Sequence, residues 1–409
     1  MVMKKKEKIL ILSGSFGQGH QQVATAIREA VELRLPDFES IVVDFMAWAH
    51  PNVYPISHYV YMKSIQMLPQ LYGYLYKKTH DRNAFSLGLN NIMSAGMGKM
   101  LKLLQQIRPT VVVSTFPFAA GILSKLKEYG LTNVPLVTVI TDHSTHSYWI
   151  HPFTNHYIVG SNGVKQELIH LGITGEQITC TGIPIRTKFL QPMSKEALIQ
   201  KHGLNPCLPT ILMMGGGEGL IGEELLNPGT LDTLPFKAQF MILCGHNEKL
   251  RRQLESKLHS TKHPIYLFGY IEHVQELMAI SDLIVTKPGG VTTSEAIAME
   301  LPMILYKPLP GQEQENAQFL TRSGVAVNVK DTAELISSIS TFLNNSADVI
   351  RMKKNAKILN KKAAAFEAVD IITESMMQQR PFYETELSPM TKWRTNRLLK
   401  REGAFYSHI

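Results

Sequence analysis

The chain has 409 residues, 44% hydrophobic and 19% charged, enough for two ordinary domains with sizeable cores. No apolar run reaches the roughly 18–20 residues of a membrane span, and Cys180, Cys207 and Cys244 lie too far apart for a metal-ligand spacing, which suits free thiols in a reducing compartment. A net charge of +8 favours an anionic partner, whether nucleic acid, a nucleotide-bearing substrate or an acidic membrane surface.

The N-terminal MVMKKKEKILIL sets lysines before an apolar patch, but that patch is shorter than a signal-peptide core of about 7–15 residues. It reads as a charged lead-in to a first strand, and the protein as cytoplasmic. The run KILIL enters the loop SGSFGQGHQQVA at residues 13–24 and then a helical stretch. Gly14, Gly17 and Gly19 let a ligand approach the main chain, and the helix start offers unpaired N–H groups and a positive dipole end. The spacing G-x-x-G-x-G-H is neither the dinucleotide fingerprint nor a Walker loop, and a tight turn alone would also account for the glycines. His20 is either a structural histidine or a near-neutral base placed to take a proton from a hydroxyl.

After SIVVDF comes an aromatic, acid-poor stretch at residues 48–76, with Lys77 and Lys78 directly behind it. Ile65, Leu68, Leu71, Tyr72 and Leu75 fit a buried helical face, whereas Tyr59, Tyr72 and the lysines also fit a patch at the lipid headgroup level. TVVVSTF, PLVTVITD and HYIVGS complete the first half; TILMMGGG, QFMILCG, IYLFGY, DLIVTK and PMILYK make up the second. Short β-branched runs between amphipathic segments indicate βα units with buried parallel strands. The expected class is α/β, with two doubly wound domains of about five strands each. Loop signals in QPMSKEALIQKHGLNPCLP divide the chain into residues 1–195 and 205–370, followed by a basic tail at 371–409.

Ligand chemistry concentrates in the second half. Gly215, Gly216 and Gly217 follow a strand, as a diphosphate loop or a flexible turn would. In TKPGGVTTSEA, Lys287, Gly289 and Gly290 precede Thr292, Thr293 and Ser294, which offer helix caps. Glu295 then falls in the first turn, to complement the dipole or to accept from a diol. PLPGQEQENAQF crowds Gln312, Glu313, Gln314, Glu315 and Asn316 at the carboxyl end of a strand, where doubly wound folds bind ligands. A solvated helix start would look similar.

Taken in order, GQGH, TDHSTHSYWIHP, TGIPIR, GGGEGL, FGY, TKPGGVTTSEA and KPLPGQEQEN resemble the glycosyltransferases of family 28. The resemblance is closest to the glycolipid branch of diacylglycerol glucosyltransferases and monogalactosyldiacylglycerol synthases, and it spans about residues 8–370. It implies a GT-B fold, two Rossmann-like domains facing a central cleft, with acceptor bound by the first and UDP-sugar by the second, and the tail at 371–409 packing back on the first domain.

By that resemblance the backbone at Phe268, Gly269 and Tyr270 faces the uracil and Glu295 the ribose. Gly289, Gly290 and Arg186 meet the phosphates, Gln312 and Glu313 the hexose, and Gly17 and Gly19 bring the first loop close to sugar and UDP. His20 is the base, Asp142 orients it or the acceptor, and Trp149 faces the lipid. The activity implied is inverting transfer of a hexose from UDP-glucose or UDP-galactose to diacylglycerol or a glycolipid. It would take place at the inner, anionic face of the cell membrane. No DxD-type pair stands at a strand end, so no divalent ion or other cofactor is expected beyond the UDP-sugar co-substrate. The alternatives are the same donor chemistry on a polyprenyl-linked or soluble acceptor, and a UDP-sugar-binding regulatory protein. No nucleic-acid motif is present.

Overall fold

The computed structural model describes residues 6–15, 17–49, 51, 96–217, 219, 228–257 and 261–383. Most of the aromatic stretch, with Tyr59 and Tyr72, lies outside these residues, as do Glu218 and the tail from residue 384.

Two all-parallel six-stranded sheets organise the described chain. The first contains β1 (Lys8–Ser13), β2 (Glu39–Asp44), β3 (Val111–Ser114), β4 (Leu136–Val139), β5 (His156–Val159) and β6 (Ile178–Cys180), in the order β2-β1-β3-β4-β5-β6. The second contains β7 (Thr210–Met214), β8 (Gln239–Leu243), β9 (Ile265–Phe268), β10 (Leu283–Thr286), β11 (Met303–Tyr306) and β12 (Ala326–Val329), in the order β12-β11-β10-β7-β8-β9. All ten runs expected to be strands are strands. The additions, β6 and β12, are short edge strands with polar positions, and Asn328 in β12 is exposed.

The period of two along a buried strand splits each sheet's core. Leu10 and Leu12 enter one cluster while Ile9 and Ile11 enter the other, and all four are fully buried. Leu212 and Met214 are divided from Ile211 and Met213 in the same way. Each such side chain contributes about 1.5–3 kcal/mol on burial, so β1 and β7 hold the loops that follow them on rigid supports.

Four helices carry the argument: α1 (Gln18–Arg34), α2 (Gly290–Ala298), α3 (Gln312–Arg322) and α4 (Ala364–Met377). The boundaries differ from the expected ones. Ile185 and Phe189 pack in the second domain's core with Leu198 and Leu204, so the first crossing comes before residue 195. The expected break at 370–371 falls inside α4, whose Ala365, Ala368, Val369 and Ile372 lie in the first domain's core beside Ile9 and Ile11. Apolar periodicity does not reveal which sheet a helix covers. Beyond α4, the Thr132 hydroxyl donates to Phe382 O, and Tyr383 bridges to Thr132.

The domains meet through the loop after β4. Gly290, the first residue of α2, lies so close to it that a Cβ would fall inside contact distance of the Thr141 carbonyl oxygen. His143, on the same loop, stacks on Phe319 at 4.8 Å between ring centroids. Its Nε2 lies 3.1 Å from Thr293 Oγ1, and its backbone N–H donates to Asn316 Oδ1 at 2.9 Å. Thr141 and His143 of the first domain are thus gripped by α2 and α3 of the second.

Burial pushes the His143 imidazole down to about 4. An unfolded histidine titrates near 6.5, so between these values the unfolded chain binds more protons and stability falls as pH falls. The loss attributable to His143 is about 3 kcal/mol at most across that window. Denaturant titrations at pH 6.5 and 4.5 should show a smaller loss in His143→Phe than in the natural chain. Equal losses would show that the contact is not pH-sensitive.

Candidate active site

A cleft of about 390 Å³ lies between the carboxyl ends of the two sheets. In the first domain the loops after β1 and β4 line it. In the second, the loops after β7 and β10 do so. Crevices of this kind are where doubly wound folds bind ligands.

Among the described residues, beside the short helix Val274–Ile280 with His273 at its N-cap, three helices begin at this cleft: α1 at Gln18, α2 at Gly290 and α3 at Gln312. Each has glycine at its N-cap, Gly17, Gly289 and Gly311, and none receives a side-chain cap. By contrast, helices starting at Asn162, Lys195, Thr332 and Ser346 are capped by Ser161, Ser194, Asp331 and Asn345. Gly17 has φ 99°, a backbone open to glycine at little cost. Uncapped starts leave N–H donors and positive dipole ends pointing at one space, and α1 and α2 carry no acid in their first turns. Lys287 lies beside α2 in the same wall. The arrangement suits a bound anion.

Glu295 also lines the cleft and is only 6% exposed. Burial raises its carboxyl to about 7, against the opposing pull of Lys188 and Arg186. Because α2 begins at Gly290, Glu295 lies beyond the first turn, and Thr293 and Ser294 are not caps. Their hydroxyls donate back to Gly289 O and Gly290 O, both at 2.8 Å.

His20, the third residue of α1, is half-buried on the opposite wall. Its Nδ1 lies 3.2 Å from Thr141 Oγ1, and its backbone carbonyl accepts from Thr115 Oγ1 at 2.9 Å. Phe116 and Trp149 meet its ring edge-on, at 5.5 and 6.0 Å between centroids. Burial lowers the imidazole pKa, partly offset by the Asp142 carboxylate and by the backbone of Thr115. Asp142 is buried: its Oδ2 accepts from Thr141 Oγ1 at 3.4 Å and its Oδ1 from Asn316 Nδ2 at 3.3 Å.

The cleft gathers His20 and Asp142 with Gly17, Gly19, Arg186, Gly215, Gly216, Gly217, Gly269 and Tyr270. It also gathers Lys287, Gly289, Gly290, Thr292, Glu295, Gln312 and Glu313. Glu313 turns back on its own domain, accepting from Leu309 N at 2.7 Å. Tyr270 stacks on His246 at 4.2 Å. Phe268 is not part of the lining; its ring meets the edge of His202.

Two expected site residues are engaged within the protein. Trp149 does not face outward: it is 5% exposed and packs with Ile140 and Tyr157 behind His20. Arg186 is bound within the protein, its Nε and Nη2 donating to Glu29 Oε1 at 2.8 and 2.6 Å. The other Glu29 oxygen accepts from Thr187 N and Oγ1, both at 3.1 Å, so this carboxylate ties the crossing segment to α1. The pairing was not expected because Glu29 lies 157 positions away. Sequence reasoning also left three residues without a role. Thr141 and Asn316 flank Asp142, and Ser15, which lines the cleft, donates to the Asp44 carboxylate at the end of β2. A polar residue beside each proposed site residue was the available signal.

The monogalactosyldiacylglycerol (MGDG) synthase family model matches residues 20–185, and the glycosyltransferase family 28 C-terminal domain matches residues 210–370. A processive diacylglycerol beta-glucosyltransferase of Bacillus cereus (strain B4264) is 33% identical over 374 residues, 90% of this chain and 94% of that one. A protein of the same name from Bacillus thuringiensis (strain Al Hakam) is 32% identical over 376 residues, 91% and 95% of the two chains. Acinetobacter baumannii MurG has a similar fold, with TM-score 0.57 and 14% identity over 90% of this chain and 99% of that one. So does S. aureus MnaA in a co-structure with UDP, with TM-score 0.60 and 15% identity over 91% and 98%. With its two sheets facing one cleft the fold is GT-B, and the chain belongs to the glycolipid-forming branch of glycosyltransferase family 28.

Proposed function

We propose that this chain transfers a hexose from a UDP-sugar to diacylglycerol or a glycolipid, with inversion at the anomeric carbon. The observation that carries the donor half is the pair of uncapped, glycine-started helices, α1 and α2, opening from opposite domains onto one cleft beside Lys287. Each helix start offers about 0.3–2 kcal/mol to an anion. Donors aimed at charge that develops as UDP leaves contribute about 3 kcal/mol apiece. No divalent ion takes part in the proposed reaction. Gly215, Gly216, Gly217, Gly289 and Gly290 would bring backbone to the diphosphate, Glu295 would accept from the ribose diol, and Gln312 and Glu313 would hold the hexose. Gly269 and Tyr270 would lie at the uracil end. Names of relatives support the acceptor: those from B. cereus and B. thuringiensis are diacylglycerol glucosyltransferases. Fold neighbours with UDP-sugar ligands, including Anabaena HepE with UDP-glucose, support the donor.

His20 would remove the acceptor's proton. The oxygen then attacks the anomeric carbon from the face opposite the diphosphate, the glycosidic bond forms as the bond to UDP breaks, and UDP departs with the electron pair. Among the described residues no helix is long and apolar enough to cross a membrane. A lipid acceptor therefore implies peripheral attachment to an anionic surface, at the inner face of the cell membrane.

Purified protein given labelled UDP-glucose or UDP-galactose and diacylglycerol micelles should yield labelled glycolipid, and His20→Ala should cut the rate about 10²–10⁴-fold. Its affinity for UDP-glucose should stay within about threefold. Transfer to a soluble acceptor alone, or donor binding without any transfer, would contradict the proposal.

Glu295 accepts from both hydroxyls of a diol, and most strongly, when ionised, and burial raises its carboxyl to about 7. UDP-glucose affinity should therefore rise with pH through about 7 and level off above it, with a proton released on binding below pH 7. Calorimetry on Glu295→Gln should show about tenfold weaker binding at pH 8 and no such rise. An identical pH dependence in the variant would remove Glu295 from the donor site.

A further inference from the structure

Asn316 lies on α3 in the second domain, yet its partners span both domains. It is 1% exposed, and its amide nitrogen and amide oxygen are both engaged. Nδ2 donates to Asp142 Oδ1 at 3.3 Å and to Pro288 O at 3.0 Å, while Oδ1 accepts from His143 N at 2.9 Å. Pro288 belongs to the loop that leads into α2; Asp142 and His143 belong to the loop that meets His20. One amide therefore joins the proposed donor loop to the proposed base.

The chain of contacts continues inward. Thr141 Oγ1 lies 3.4 Å from Asp142 Oδ2 and 3.2 Å from His20 Nδ1. A threonine hydroxyl has a single proton, and a carboxylate is the stronger acceptor. When that proton goes to Asp142, the hydroxyl oxygen can only accept from His20, which places the imidazole hydrogen on Nδ1. Nε2 is then left with the lone pair that a general base needs.

We propose that Asn316 is a positioning residue that completes the base of the opposite domain: by holding Asp142 it fixes Thr141, and through Thr141 the tautomer of His20. The proposal rests on the reading of His20 as the acceptor base. It makes base competence depend on domain closure, because Asn316 reaches Asp142 only when α3 stands against the loop after β4. The other charged group that interacts with Asp142 is Glu313 of the second domain, which itself also faces Lys287.

The test combines two readouts. Nitrogen-15 NMR of histidine-labelled protein, with His20→Asn identifying the resonance, reads the tautomer without substrate. The natural chain should hold Nδ1–H, and Asn316→Ala and Thr141→Val should each give a mixture. In kinetics with UDP-glucose, Asn316→Ala should lower kcat about 30-fold or more while KM changes less than about threefold. Because the two variants break one relay, the double variant should be no worse than the poorer single one. Asn316→Asp supplies the conservative variant. Its carboxyl can donate to Asp142 only when protonated, so its activity relative to the natural chain should recover as pH falls.

An unchanged tautomer in Asn316→Ala overturns the proposal. So does a KM raised more than about tenfold with kcat intact, which would make Asn316 a donor contact. If the natural chain shows the tautomer pattern but no transfer to any lipid, the relay stands and the proposed function fails.

Discussion

The site depends on how closely α2 and α3 of the second domain approach the loop after β4 of the first. Gly290 permits the approach, since any side chain there would strike the Thr141 carbonyl. Burial of His143 against Phe319 and Thr293 stabilises it, and Asn316 gives it a fixed register. At this contact His20 and the proposed donor loop line a single cleft.

Electrostatics follow from that closure. Among the described residues, the helices starting at Asn162, Lys195, Thr332 and Ser346, away from the cleft, receive a serine, aspartate or asparagine oxygen. Helices α1, α2 and α3, which begin at the cleft, have glycine instead. Their N–H groups are left for a ligand, which exchanges a small local stabilisation for a site where negative charge is welcome. Glu295 fits the same logic from the opposite sign. A carboxylate buried without a side-chain partner is costly, and that cost is recovered only if a ligand donates to it. Arg186 and Lys188, both close to Glu295, have partners within the protein, Glu29 and the Glu272 carbonyl.

The strands were legible because fully buried parallel strands need continuous β-branched or aliphatic runs, and Ile9–Leu12 and Ile211–Met214 have nothing polar to offer. Strands β6 and β12 escaped because edge strands are covered on fewer sides and tolerate Thr179 and Asn328. Glycines near helix starts were visible too, although a plain turn would account for them equally well, and the structure shows which of them stand at a helix start facing the cleft. What could not be read was contact across the domain gap. The Glu29–Arg186 pair, the inward turn of Trp149 and the reach of Asn316 to Asp142 depend on the relative placement of two sheets, which no periodicity encodes. The second crossing was misplaced for the same reason. Helix α4 has the apolar stripe of any helix packed on a sheet, and nothing in that stripe says which sheet.

The central claim is that one cleft, closed by this contact, presents an acceptor hydroxyl and its base to the face of the sugar opposite the departing UDP. Direct displacement in such a cleft has one stereochemical outcome, which proton NMR of the isolated glycolipid reads from the coupling between the first and second sugar protons. Starting from an α-linked UDP-glucose, the account predicts the large coupling of a β-glucoside. The small coupling of an α-glucoside would contradict it.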